Sequence, residues 1–181
     1  LKERQLDGHT AKTVETMHSS AKQVDRLLLS ILDWVHAQRE GAIDIQEIDL
    51  CTFLEEEQEF YSSIGAPKGI QIAISLQEKI WVLADRNMLK TILRNLVSNA
   101  VKFSNEGDTV SVTCKKSGNI SKIFVADHGV GIPPQTVYNI MENSNTKTAK
   151  VTKNESGSVL GLILCHEFLE KMNGKLGLKS T

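Results

Sequence analysis

The chain has 181 residues, 40% of them apolar and 24% charged, with 21 basic side chains against 22 acidic for a formal net charge of −1. That balance fits one ordinary domain with an appendage and excludes a strong non-specific field for nucleic acid or anionic lipid. No apolar run approaches the ~20 residues needed to span a bilayer. Three cysteines (Cys51, Cys114 and Cys165), none in a CxxC spacing, indicate neither a disulfide framework nor a zinc cluster and fit a reducing compartment. The chain starts at Leu1 with no signal-like stretch and is expected to be part of something longer.

In chain order, Val14, Met17, Ala21, Val24, Leu28, Ile31 and Val35 recur at alternating steps of 3 and 4, an a/d seam over about 10–38. Such a helix packs either on its own domain or in a helical hairpin or dimer bundle. Gly41 breaks the pattern. Ile43, Ile45 and Ile48 predict a short strand. Asp49 can cap a helix to about Ile64, with Phe53, Leu54, Phe60, Tyr61 and Ile64 turned inward. Gly65, Pro67 and Gly69 end it. Ile70, Ile72, Ile74 and Leu76 alternate as a half-buried strand, and Ile80 to Ala84 form a second.

The strongest helix runs from about Asn87 to Phe103, with Leu89, Ile92, Leu93, Leu96, Val97, Ala100 and Val101 as its buried stripe. Asp85 before it can serve as N-cap. After a turn at Asn105 to Asp108, Val110, Val112 and Cys114 alternate in a third strand. Ser117-Gly118-Asn119 makes a turn, and Ile120 to Ala126 is a fourth strand. A short helix follows Pro133 and Pro134. Residues 142–158 are almost wholly polar, as in a lid, a binding loop or a disordered insert. A helix from about Val159 to Met172 with Gly174 as its C-terminal cap, and a strand over 175–179, complete the chain. Strands that follow one another directly predict a mixed or antiparallel sheet with helices on one face.

Chemistry can sit in four places. On the helix 87–103, Asn95, Asn99 and Lys102 fall within about 60° of one another, roughly 130° from the buried stripe. They form either a solvated helix face or a line of amides and one ammonium that could hold a hydrated metal and a phosphate chain. Asp127-His128-Gly129-Val130-Gly131-Ile132-Pro133 closes an apolar strand. It is either a plain glycine turn or a carboxylate set to accept from an exocyclic amine, with glycines that admit close approach. The polar segment 142–158 is the third. Gly157-Ser158-Val159-Leu160-Gly161-Leu162, at a helix start, could offer free N–H groups to phosphate or be an ordinary helix opening.

Taken in order, NxxxNAxKF on a helix, DxGxGIP after a strand, a polar segment and a GxxLGL helix start resemble the ATP-binding catalytic domain of sensor histidine kinases. The wider ATPase superfamily includes gyrase B, Hsp90 and MutL. Arg94 to Ser104 resembles its N box, Asp127 to Pro133 its first glycine box and Gly157 to Leu164 its second, and the likeness extends over roughly 14–180.

The resemblance implies an α+β fold, a two-layer α/β sandwich with a mixed sheet and helices on one face, preceded by a long coiled-coil-like helix. Residues 1–40 would hold the second helix of the dimerisation and histidine-phosphotransfer hairpin, and 41–181 the ATP-binding catalytic domain. ATP and Mg²⁺ are the implied cofactors. Asn99 would ligate Mg²⁺, Asn95 would help hold metal or phosphate, and Lys102 would contact the phosphates, so that Asn95 and Lys102 carry the catalytic roles. Asp127 would accept from the adenine amino group, while Gly129, Gly131 and Ile132 shape the adenine pocket. Gly157, Ser158, Leu160, Gly161 and Leu162 would bring the lid and the last helix to the phosphates.

The implied function is transfer of the ATP γ-phosphoryl group to a histidine, for relay to the receiver domain of a response regulator. A homodimer through the N-terminal helix and a cytoplasmic location, as part of a membrane-anchored sensor, go with it. The acceptor histidine is not recognisable: His9 and His18 lack the following acidic residue, and His166-Glu167 lies beyond the second glycine box. Gyrase-like relatives carry a glutamate general base where this chain has Asn95, and an amide cannot take that proton, which disfavours a hydrolytic ATPase. Val159 replaces a usual glycine and Met141 a usual phenylalanine. These two positions support the alternative of a nucleotide-poor pseudokinase acting as a dimerisation and signalling scaffold.

Overall fold

The computed structural model describes residues 10, 13, 14, 17, 43–76, 79–138 and 156–180, with the backbone alone over 156–160. The heptad segment lies outside the described residues except at Thr10, Thr13, Val14 and Met17. These four are helical, and the seam positions Val14 and Met17 are exposed. Met141 and most of the polar segment also lie outside, as does the side chain of Val159.

The elements are β1 (Ile45–Asp49), α1 (Leu50–Gly65), a 3₁₀ turn (Ala66–Lys68), β2 (Gln71–Leu76), β3 (Trp81–Asp85), α2 (Arg86–Phe103), β4 (Thr109–Ser117), β5 (Ile120–Ala126), a helical turn over 134–138, and α3 (Ser156–Lys171). The strands form two pieces. β1 pairs antiparallel with β3, Ile45 opposite Asp85 and Asp49 opposite Trp81. The other piece has the order β2-β4-β5: β2 runs parallel to β4, with Gln71 opposite Thr109, and β4 runs antiparallel to β5, with Ser117 opposite Ile120. The loop between β4 and β5 has two residues, and only its first, Gly118, has positive φ (61°), the pattern of a type II′ turn that suits strand twist.

Alternation explains the core. Val110, Val112 and Cys114 of β4 point inward and are buried, as are Leu89, Leu93, Val97, Ala100 and Val101 of α2 and Phe53, Leu54 and Tyr61 of α1. The helical stripe and the sheet face therefore meet as their periods require. A second, smaller cluster joins α2 to α3 through Met88, Ile92, Cys165 and Phe168. Helix α2 is thus packed on two sides, with its remaining face open.

Both predicted acidic N-caps are present. Asp49 accepts from the Cys51 amide at 3.0 Å, and Asp85 Oδ1 accepts from the amides of Asn87 and Met88 at 2.9 and 3.1 Å.

Three expectations need correction. Residues 174–180 form no strand. Phe60 is not inward: it is exposed at the edge, where the Arg94 guanidinium stacks on its ring at 3.7 Å. Gly174 is not the left-handed cap of α3. Asn173 takes that conformation (φ 56°), its amide donating to Glu170 O and the Gly174 amide to Leu169 O, a Schellman closure. A Cβ at 174 would lie 2.9 Å from Leu169 Cδ2 and 3.4 Å from Leu169 O, so a larger residue there would have to move the Leu169 side chain.

Candidate nucleotide site

Two elements, the Asp127 turn and α3, meet α2. The first contact is at its C-terminal end. The Val130 amide donates to Phe103 O at 3.4 Å, and a Cβ at Gly129 would stand 2.2 Å from that same carbonyl oxygen. Backbone meets backbone there, which only glycine permits. The carboxylate of Asp127 folds back on its own turn, Oδ1 accepting from the Gly129 amide at 2.9 Å. Asp127 is exposed, and among the described residues its Oδ2 has no hydrogen-bond partner. Gly131 has φ 69°, a conformation costly for other residues. The Ile132 amide donates to Ser180 Oγ at 2.8 Å, so the C-terminal segment braces the far end of the turn. His128 touches Thr109 O through Nδ1 at 3.2 Å.

The second contact joins α2 to α3. Asn95 donates through Nδ2 to Thr91 O at 3.0 Å, which leaves its Oδ1 on the side of α3. A Cβ at Gly161 would lie 2.8 Å from that oxygen. The helix α3 begins at Ser156, three residues before the expected Val159, so Gly157 and Ser158 stand in its first turn. Leu162 is half-buried.

Asn95 and Asn99 are half-buried on the open face, and Lys102 is exposed, its Nζ 5.0 Å from the Phe103 ring centroid. The structure thus ties the Asn95 helix directly to the Asp127 turn and to the Gly161 helix. The side chains of Ser158 and Leu160 lie outside the described residues, and of Gly157 only its place in the helix is described.

The donor set can be tested against a metal. Among the described residues no cluster of three His, Cys, Asp or Glu side chains could cage an ion. What α2 offers is amide oxygen. Mg²⁺ takes hard oxygen donors, commonly one or two from the protein with waters and substrate phosphates completing the shell, and amide carbonyls belong to that donor class.

Sequence reasoning missed Lys68 and Ser180. Lys68 follows Pro67 in an apparent turn and its reach across the fold has no local signature. Ser180 sits where a strand was expected.

Residues 84–181, more than half of the chain, match the family described as histidine kinase-, DNA gyrase B-, and HSP90-like ATPase. The sensor protein SrrB of Staphylococcus aureus is 23% identical over 183 aligned positions, covering 97% of this chain and 31% of SrrB. The chain therefore spans about a third of the length of the curated relatives it matches. Among solved structures, full-length ShkA in complex with AMPPNP is similar at a TM-score of 0.66 and 28% identity, over 93% of this chain and 35% of that one. Histidine kinase ThkA in complex with the response regulator TrrA is similar in fold, with a TM-score of 0.67 and 20% identity, over 95% of this chain and 48% of that one. With the Asn95 helix tied to the Asp127 turn and to the Gly161 helix, this chain belongs to the histidine kinase-, DNA gyrase B- and HSP90-like ATPase family.

Proposed function

We propose that the face of α2 bounded by Asp127 and Gly161 binds Mg·ATP and passes the γ-phosphoryl group to a histidine of a dimerisation hairpin, for relay to an aspartate of a response regulator. One observation carries the reading: the Phe103 carbonyl meets the Gly129–Val130 backbone, so the Asp127 turn, read as the adenine side, and α2, read as the phosphate side, share one joint. The Oδ2 of Asp127, without a hydrogen-bond partner among the described residues, suits an exocyclic amine. Asn99 and Asn95 would present amide oxygens to a magnesium ion, and Lys102 would meet phosphate charge from the end of the same helix. Bound magnesium would supply charge neutralisation on the phosphate oxygens. Phosphoryl transfer asks a protein chiefly for alignment and charge compensation. Asn95 has no basicity with which to activate water, which favours transfer to a side-chain nucleophile.

The reaction breaks the bond between the γ-phosphorus and the bridging oxygen, forms a phosphorus–nitrogen bond to imidazole and releases ADP and a proton. Relatives named as sensor proteins and a relative solved with a response regulator support that acceptor chain. Dimerisation through the heptad segment, and a cytoplasmic location as part of a membrane-anchored sensor, belong to the same proposal. No helix among the described residues is long and apolar enough to cross a membrane.

Titration with AMPPNP, with and without Mg²⁺, tests the binding half. Wild type should bind in a magnesium-dependent way, and Asp127→Ala and Asn99→Ala should each weaken binding by about tenfold or more. Absence of heat with wild type at millimolar nucleotide would overturn the reading. A histidine-bearing hairpin supplied in trans should acquire acid-labile label from γ-labelled ATP.

A further inference from the structure

Every helix leaves its last four carbonyls without intrahelical partners. For α2, counting its C-cap Ser104, the four are Val101, Lys102, Phe103 and Ser104, and each is satisfied. Ala100 O accepts from the amide and the hydroxyl of Ser104, at 3.0 and 2.8 Å. Val101 O and Lys102 O both accept from one distant ammonium, Lys68 Nζ, at 3.1 and 2.8 Å. The same nitrogen donates to Ser104 O at 3.0 Å. Three protons meet three carbonyls, the full capacity of an ammonium group. Only Phe103 O is left, and it is the one that receives Val130.

Lys68 comes from the 3₁₀ turn after α1, on the side of α2 away from the Asp127 turn in sequence. Its backbone is fixed too: Lys68 O accepts from the Gly107 amide at 3.0 Å, and Gly69, with φ 62°, turns the chain into β2. The side chain is half-buried and its charge faces the negative end of the helix.

We propose that Lys68 is a positioning residue for the nucleotide site. By holding the carbonyls on both sides of Phe103, it fixes the direction of the Phe103 C=O. That carbonyl in turn holds the Gly129–Val130 backbone, and with it the turn that carries Asp127. The distance between the adenine acceptor and the asparagine face of α2 is then set by a lysine that does not touch the ligand. The proposal rests on the nucleotide reading above, although its mechanical half does not need nucleotide.

The test uses the full chain as wild type, Lys68→Met, Lys68→Arg and, as a control, Lys79→Met, whose ammonium is largely exposed beside Asp49. Two quantities are read: the AMPPNP dissociation constant with Mg²⁺, and amide exchange at Val130 compared with Val112 in the core strand. Lys68→Met should weaken AMPPNP binding about tenfold and speed Val130 exchange while Val112 keeps its wild-type rate. Lys68→Arg should recover part of both, since a guanidinium still donates to carbonyls. Lys79→Met should match wild type. Wild-type affinity and wild-type Val130 exchange in Lys68→Met would overturn the proposal. So would an equal rise of exchange at Val130 and Val112, which marks general loosening. If wild type itself binds no AMPPNP, the nucleotide reading fails, and the exchange data still decide whether Lys68 holds the turn.

Discussion

A Cβ on Gly161 would start 2.8 Å from the Oδ1 of Asn95. That oxygen cannot swing away freely, because the Nδ2 of the same amide is bonded to Thr91 O at 3.0 Å. The last helix therefore rests on the side chain that the nucleotide reading places beside the phosphates. In Gly161→Ala the methyl should displace the Asn95 amide or lift α3 by a few tenths of an ångström. Alanine in a helix gains up to about 1 kcal/mol over glycine, which offsets the contact. Global stability in urea should stay within about 1 kcal/mol of wild type while AMPPNP binding weakens about tenfold. A variant that binds as wild type would show that Asn95 tolerates the shift and is not a ligand-facing group.

Glu57 is buried between α1 and α2 and holds two cations, Lys90 Nζ at 2.7 Å and Arg94 Nε at 2.6 Å. Desolvation pushes its carboxyl up. The hydrogen bonds from Arg94 and Lys90 outweigh that and leave it below the ordinary value of 4.5. A carboxyl depressed in the folded state contributes stability that is present above its unfolded value and lost as pH falls through its folded one. Glu57→Gln should thus cost about 2 kcal/mol near neutral pH, since it leaves Lys90 and Arg94 without their counter-charge. The difference from wild type should shrink once pH drops below the ordinary carboxylate value. Urea unfolding at several pH values measures both. A gap that stays constant down to strongly acid pH would mean the pair is not coupled to folding.

Those two contacts show what sequence could and could not carry. The stripe of α2, the caps Asp49 and Asp85, and the alternation of β4 were legible because period and capping chemistry are local. The likeness of Asp127 to Pro133 and of Asn95, Asn99 and Lys102 to known boxes supplied the members of the proposed site. Their joint was not legible: the Phe103 carbonyl carries no residue identity, and Lys68 reaches it from 33 to 36 positions away in sequence. Phe60 misled because an apolar residue at helical spacing reads as core, whereas here Arg94 covers it from outside. The expected strand over 175–179 failed for a related reason. Leu176 and Leu178 alternate with Lys175, Gly177 and Lys179 as in an extended segment, yet Leu176 packs on the cluster of Met88, Ile92, Cys165 and Phe168 between α2 and α3 instead of joining a ladder.

Tyr61 is fully buried, and its hydroxyl is the one buried side-chain polar atom without a hydrogen-bond partner among the described residues. Burial, with the Glu57 charge nearby, pushes the phenol well above its ordinary value. A hydroxyl desolvated without a partner costs free energy that phenylalanine avoids at nearly the same shape. Tyr61→Phe should raise stability by about 1 kcal/mol in urea unfolding, with AMPPNP binding unchanged because the ring lies under α1, away from the open face of α2. A loss of more than about 1 kcal/mol would show that the hydroxyl has a partner in solution.

The three cysteines should separate by reactivity. Cys165 lies between α2 and α3, its Sγ 3.7 Å from Ile92 O, and burial pushes its thiol up to about 12. Burial also pushes Cys114 up to about 11. Cys51, half-buried in the first turn of α1, is raised by desolvation and then by the Glu55 carboxylate, which its Sγ meets at 3.5 Å. Only thiolate alkylates readily. At about pH 8 iodoacetamide should modify Cys51 alone in the native protein, more slowly than it modifies a free thiol. Glu55→Gln should speed that reaction, since it removes the negative charge that opposes the thiolate. Cys114 and Cys165 should react only in denaturant. Mass mapping of the modified chain distinguishes the sites. Native labelling of Cys165 at the rate of Cys51 would mean that α3 lifts off α2 on the timescale of the reaction, so that the contact between Gly161 and Asn95 is transient.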